Sequence, residues 1–96
     1  MTAAQAALDR LDLFLRTYPV RILKGQRFNG ILADYYCPLA GMAILLTENS
    51  GDTRKSALQG QGLTVLSLHT AAISRSFDEL LTYIDDQIRH ALTADR

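Results

Sequence analysis

Two apolar runs joined by a turn constrain this chain more than any other feature. Residues Ile31 to Cys37 and Met42 to Thr47 flank Pro38-Leu39-Ala40-Gly41. Aromatic and β-branched residues next to Pro and Gly punctuation favour a tight β-hairpin over a helix. Asp34 lies in the middle of the first run. A carboxylate is expensive to bury unless it is paired, hydrogen-bonded or bound to a metal, so this hairpin carries the residue that most needs explaining.

The rest of the chain supplies elements to cover that hairpin. Residues 4 to 16 set Ala4, Ala7, Leu8, Leu11 and Leu15 at helical spacing, with Asp12 and Arg16 as an i,i+4 pair on the other side. Thr2 is a candidate cap, and Pro19 ends the helix by pushing Tyr18 out of the helical region. Val20 to Lys24 alternates as a short strand interrupted by Gly25, and Asn29-Gly30 predicts a type I′ hairpin turn. The expectation is therefore a three-stranded antiparallel meander from Val20 to Thr47. A polar stretch follows, then a brief helix over residues 53 to 59 capped by Asp52. Leu63 to Leu68 alternates as a fourth strand. Ser76 and Glu79 form a capping box ahead of the stripe Phe77, Leu80, Leu81, Ile84, Ile88 and Leu92. Asp78, Glu79, Asp85 and Asp86 read as that helix's solvated face, and His90 falls in its final turn.

Several classes of function receive no support. Ninety-six residues with 48% apolar content make a single domain, 1–96, with a modest core. The formal net charge of zero gives no global field that would draw the chain to nucleic acid. The lone Cys37 excludes an internal disulfide and reads as a small buried residue. Neither a basic N-terminal region followed by an apolar run nor an apolar run long enough to span a bilayer is present, which predicts a cytoplasmic protein. No Cys or His spacing suits structural zinc, and Gly60-Gln61-Gly62 alone is not a phosphate loop.

The hairpin resembles the core of small endonuclease-related domains akin to the very-short-patch mismatch-repair nuclease, in the PD-(D/E)XK or restriction-endonuclease-like group. That family's first strand ends in Val-Asp-Phe-Tyr-Cys-Pro, matched here by Ala33-Asp34-Tyr35-Tyr36-Cys37-Pro38. Its second strand reads roughly Ile-Glu-Leu-Asp-Gly, where this chain has Ile44-Leu45-Leu46-Thr47-Glu48. The family's Glu is thus Leu45 and its Asp is Thr47. Leu63 to Leu68 resembles the family's Gly-Tyr-Arg-Val-Leu-Arg-Phe strand, with Ser67 at an Arg position. The resemblance implies an α/β, restriction-endonuclease-like fold: N-terminal helix, meander, short helix, fourth strand and C-terminal helix. It also implies a basic first strand close to DNA, here Arg21, Lys24 and Arg27. In relatives an acidic residue of the first helix reaches the active site, and Asp9 lies nearest that position.

Metal-dependent phosphodiester hydrolysis needs convergent carboxylates around an ion such as Mg²⁺. In this group Asp comes from the first strand and two polar groups, two residues apart, from the second. That spacing sets both on one face of a strand. Leu45 and Thr47 supply neither carboxylate, which leaves Asp34 as a catalytic remnant. The expectation is a degenerate domain without cofactor that acts as a non-enzymatic DNA- or protein-binding accessory module. An active Mg²⁺-dependent endonuclease with relocated ligands Asp34, Glu48 and Asp52, approached by His69 and Lys55, is the alternative. A structural homo-oligomer, including a homodimer, without nucleic-acid contact is the third. In a fold-holding role, Asp34 would bond to nearby backbone amides or pair with Arg27 or Lys24.

Overall fold

The computed structural model describes residues 3–47, 53–73 and 76–93. Its elements are α1 (Ala3–Arg16), β1 (Leu23–Phe28), β2 (Ile31–Cys37), β3 (Met42–Thr47), α2 (Arg54–Gln59), β4 (Thr64–His69), α3 (Thr70–Ile73) and α4 (Phe77–Thr93). The strands form one mixed sheet in the order β1-β2-β3-β4. The first three are antiparallel neighbours, and β4 returns through α2 to run parallel to β3.

The two apolar runs are strands with the expected limits, and the turn between them closes with Gly41 N–H donating to the Pro38 carbonyl at 3.2 Å. The Asn29-Gly30 turn has φ of 52° and 82°, the double left-handed pair that a type I′ turn requires. The first strand differs from the expectation. It begins at Leu23 instead of Val20 and continues through Gly25 to Phe28. Gly25 does not end the strand: a residue without Cβ can take φ of 75°, and pairing is interrupted only at that residue and resumes in register at Gln26. The short helix α3 gave no sequence signal.

Helices cover both faces of the sheet. On one face α1 and α4 bury Leu11, Leu15, Ile84 and Ile88 against Tyr35, Cys37, Met42, Ile44, Leu66 and Leu68. Cys37 is buried, as its type suggests. On the other face α2 places Leu58 on Ala33, Ala43 and Leu45, with Phe28, Ile31, Leu63 and Val65 around them. Burial on both faces explains why β3 is an almost unbroken apolar run. Each fully buried leucine or isoleucine here contributes about 1.5–3 kcal/mol over an exposed one.

The β1–β2 hairpin is bent. Strict alternation would put Ala33 on the face of Tyr35 and Cys37, yet Ala33 packs in the α2 cluster and the other two in the α1–α4 cluster. The pairs Lys24↔Tyr35 and Gln26↔Ala33 keep register around the break, so Gly25 and Asp34 face each other at it. The bend also brings Phe28 and Tyr36 edge to face at 4.8 Å between centroids. In a flat hairpin, five residues of strand would separate them by about 17 Å.

Candidate functional site

The bend decides what Asp34 does. The β2–β3 ladder pairs Cys37↔Met42, Tyr36↔Ala43 and Tyr35↔Ile44 and goes no further. Beyond it β2 has turned away, and the backbone of β3 needs other partners. The Asp34 carboxylate supplies one: its Oδ2 accepts the Leu46 N–H at 2.8 Å. Arg54 supplies the complement. Its Nη2 donates to the Leu46 carbonyl at 2.9 Å, and its Nη1 donates to the Leu32 carbonyl at 3.1 Å and to Asp34 Oδ2 at 3.3 Å. Carboxylate and guanidinium together replace the missing ladder, one as acceptor and the other as a planar fork of donors. Their side chains are only 26% and 27% exposed, so solvent screens the pair incompletely.

The partner of Asp34 is therefore neither Arg27 nor Lys24. Arg27 reaches back to its own turn, donating to the Gly30 carbonyl at 3.4 Å. Lys24 lies 3.1 Å from Asp12. What sequence reasoning missed is Arg54, the first residue of α2. One signal was legible: a cation in the first turn of a helix is on the wrong side of the helix dipole, so something else must hold it.

Among the described residues, the groups that meet the Asp34 carboxylate are an amide and a guanidinium. The positions two apart on β3, Leu45 and Thr47, are 1% and 7% exposed, and Leu45 belongs to the apolar α2 cluster. Mg²⁺ prefers carboxylate and water oxygens in near-octahedral array, whereas Asp34 already meets an amide and a fixed guanidinium. Among the described residues no three His, Cys, Asp or Glu side chains gather as a metal site. Glu48, Asp52 and the expected cap Thr2 lie outside the described residues, and the N-cap position of α2 falls on Thr53, not Asp52, with no side-chain cap hydrogen bond. His69 is exposed at the end of β4, where its backbone pairs with Thr47, and Lys55 is exposed on α2.

A second polar cluster lies on the α1 side of the sheet. Asp12, not Asp9, is the acidic residue of α1 that reaches the strands. It accepts from the Tyr35 hydroxyl at 2.6 Å and lies close to Lys24 and Arg16. Asp9 is exposed and accepts from Gln5 one turn away. The helical phase decides this: Asp12 follows the buried Leu11, while Asp9 is on the outer side. The Tyr35 hydrogen bond, then Lys24 and Arg16, hold the Asp12 carboxyl below the ordinary range against the opposing effect of burial. Burial first, and then Asp12, push the Tyr35 phenol up.

Asp85 corrects another expectation. It is half-buried rather than part of a solvated face, and it accepts from the Tyr18 hydroxyl at 2.5 Å and from Arg89 Nε at 2.8 Å. Burial and Asp85 raise the Tyr18 phenol to about 12.

Arg21, Lys24 and Arg27 lie on β1 and its approach, and all three are exposed. Among the described residues none of them is an ion-pair or hydrogen-bond partner of Asp34. Arg27 and Arg21 have no carboxylate partner among the described residues, while Lys24 is tied to Asp12. No helix among the described residues is long and apolar enough to cross a membrane. Compared with models of protein families and with curated protein sequences, the chain finds no match.

Proposed function

We propose that the chain is a catalytically degenerate, restriction-endonuclease-like domain, a non-enzymatic accessory module that binds DNA or a protein without hydrolysing DNA. One observation carries this reading. The carboxylate that the resemblance assigns to metal is engaged by the Leu46 amide and the Arg54 guanidinium, next to two β3 positions that offer Leu45 and Thr47. A cation already stands where a metal would have to approach. The order of elements supports the same reading: helix, antiparallel meander, helix, and a fourth strand parallel to the third. Arg27, exposed on the edge strand, and Arg21, exposed on the approach to it, favour DNA, since phosphate contacts require cations that are not already paired with carboxylates.

The test is calorimetric titration with Mg²⁺ and Mn²⁺, alongside Asp34→Ala, and fluorescence-anisotropy titration of duplex DNA at several salt concentrations. No saturable metal binding is expected. DNA affinity is expected to fall with salt, and an Arg21→Ser/Arg27→Ser variant should flatten that dependence. Saturable metal binding abolished by Asp34→Ala would overturn the reading in favour of the relocated site with Glu48 and Asp52. No salt-dependent DNA binding would leave a protein-binding module, or the structural homo-oligomer.

A further inference from the structure

The sheet has two edges of different chemistry. β1 carries Lys24 and Arg27 and is bent at Gly25, devices that keep an edge from pairing with other chains. β4, Thr64-Val65-Leu66-Ser67-Leu68-His69, carries no Asp, Glu, Lys, Arg or Pro. Its register to β3 is unbroken from Thr64 to His69, so no bulge interrupts it as a template. Thr64 N–H donates to the Gly41 carbonyl at 3.0 Å, which fixes the phase of the ladder. In a parallel pair, alternate residues direct both backbone groups to the same neighbour. Thr64, Leu66 and Leu68 therefore bond to β3, and Val65 and Ser67 point their N–H and C=O groups away from it. Among the described residues no strand and no turn or loop backbone hydrogen bond meets those groups.

We propose that the β4 edge pairs antiparallel with β4 of a second copy of this chain, joining two four-stranded sheets into one. The occupant is a second copy because the edge is self-complementary. A two-fold axis beside Leu66 sets Val65 opposite Ser67 of the second copy and Ser67 opposite its Val65. Each facing pair exchanges two hydrogen bonds, and the same patch serves both copies, as an isologous interface requires. No like charges meet along β4, and the formal net charge of zero adds no repulsion between copies. This inference does not depend on the function proposed above, since it uses neither Asp34 nor the basic residues of β1.

Sedimentation equilibrium of the full chain should show a concentration-dependent dimer. Ser67→Pro removes an N–H that points away from β3, so it spares the β3 ladder and should shift the chain to monomer with an unchanged circular dichroism spectrum. Register is read independently by mixing Val65→Cys with Ser67→Cys under mild oxidation. Facing residues in this pairing have Cα atoms about 5.5 Å apart, within disulfide range. The mixture should crosslink at least several-fold faster than either variant mixed with Lys24→Cys on β1. A wild-type chain that stays monomeric overturns the proposal, as does a dimer that crosslinks no faster through β4 than through β1.

Discussion

Replacing Arg54 by Met tests the reasoning about the bent hairpin most directly. Met keeps much of the aliphatic stem, so the loss falls on the guanidinium. Among the described residues, that group donates to Leu32 O, Leu46 O and Asp34 Oδ2. A bond involving a charged group contributes about 1.5–3 kcal/mol net when well buried. At roughly one-quarter exposure, water can re-solvate part of each orphaned acceptor. The cost therefore falls between an exposed pair, about 0–1 kcal/mol, and a fully buried one broken on one side, about 3–5 kcal/mol. We expect about 2–3 kcal/mol, which for a domain of this size lowers Tm by about 10–20 °C. Urea unfolding followed by circular dichroism measures it, with an unchanged m-value showing that the compactness of the two states is preserved. Asp34→Asn should cost less, because an amide oxygen still accepts from Leu46 N–H. The double variant should cost less than the sum of the two, since both residues act on one junction. A loss within about 0.5 kcal/mol of zero for Arg54→Met, the range of ordinary surface substitutions, would refute the claim that this pair closes the sheet.

Two further outcomes follow from the same geometry. The Asp12 carboxyl is held below its ordinary value, so the folded state binds fewer protons than the unfolded state in acid. Its contribution is fully present above the ordinary carboxylate range and is lost as pH falls through the lowered value. Asp12→Asn should therefore flatten the loss of stability below about pH 4, seen in urea midpoints measured across the acid range, and an unchanged acid limb would argue against the Tyr35–Asp12–Lys24 cluster. Gly25→Ala should cost about 1–2 kcal/mol purely from its φ of 75°, since an added Cβ would meet nothing within 4 Å. Chemical denaturation measures this too, and a neutral result would mean that the bend does not require glycine.

Periodicity and turn chemistry made much of the fold legible in the sequence. The stripes Leu11/Leu15 and Ile84/Ile88, the Asn29-Gly30 turn and the two apolar runs each specify a local element by short-range rules. Those elements appear as read. Where the reading failed, a local rule met a tertiary one. Gly25 reads as a strand breaker, and α3 is too short to carry a period. Asp85 reads as solvated until Tyr18 arrives from 67 residues away. Asp9 and Asp12 are equivalent candidates in a list of acidic residues; only the phase of α1 against the sheet separates them.

Asp34 marks the boundary between the two kinds of information. Sequence alone determined that a carboxylate in an apolar strand needs a partner, because burying charge without one is costly. It also determined that the neighbouring strand carries Leu45 and Thr47, neither of them an acid. It could not determine the partner. Arg54 is 20 residues away in the chain, and its role exists only because β2 bends at Asp34, the β2–β3 ladder stops at Tyr35↔Ile44, and the start of α2 meets the opened junction. Hydrogen-bond demand at that junction is a property of how strands diverge in space, so tertiary structure alone decided where the demand arose and which side chain met it.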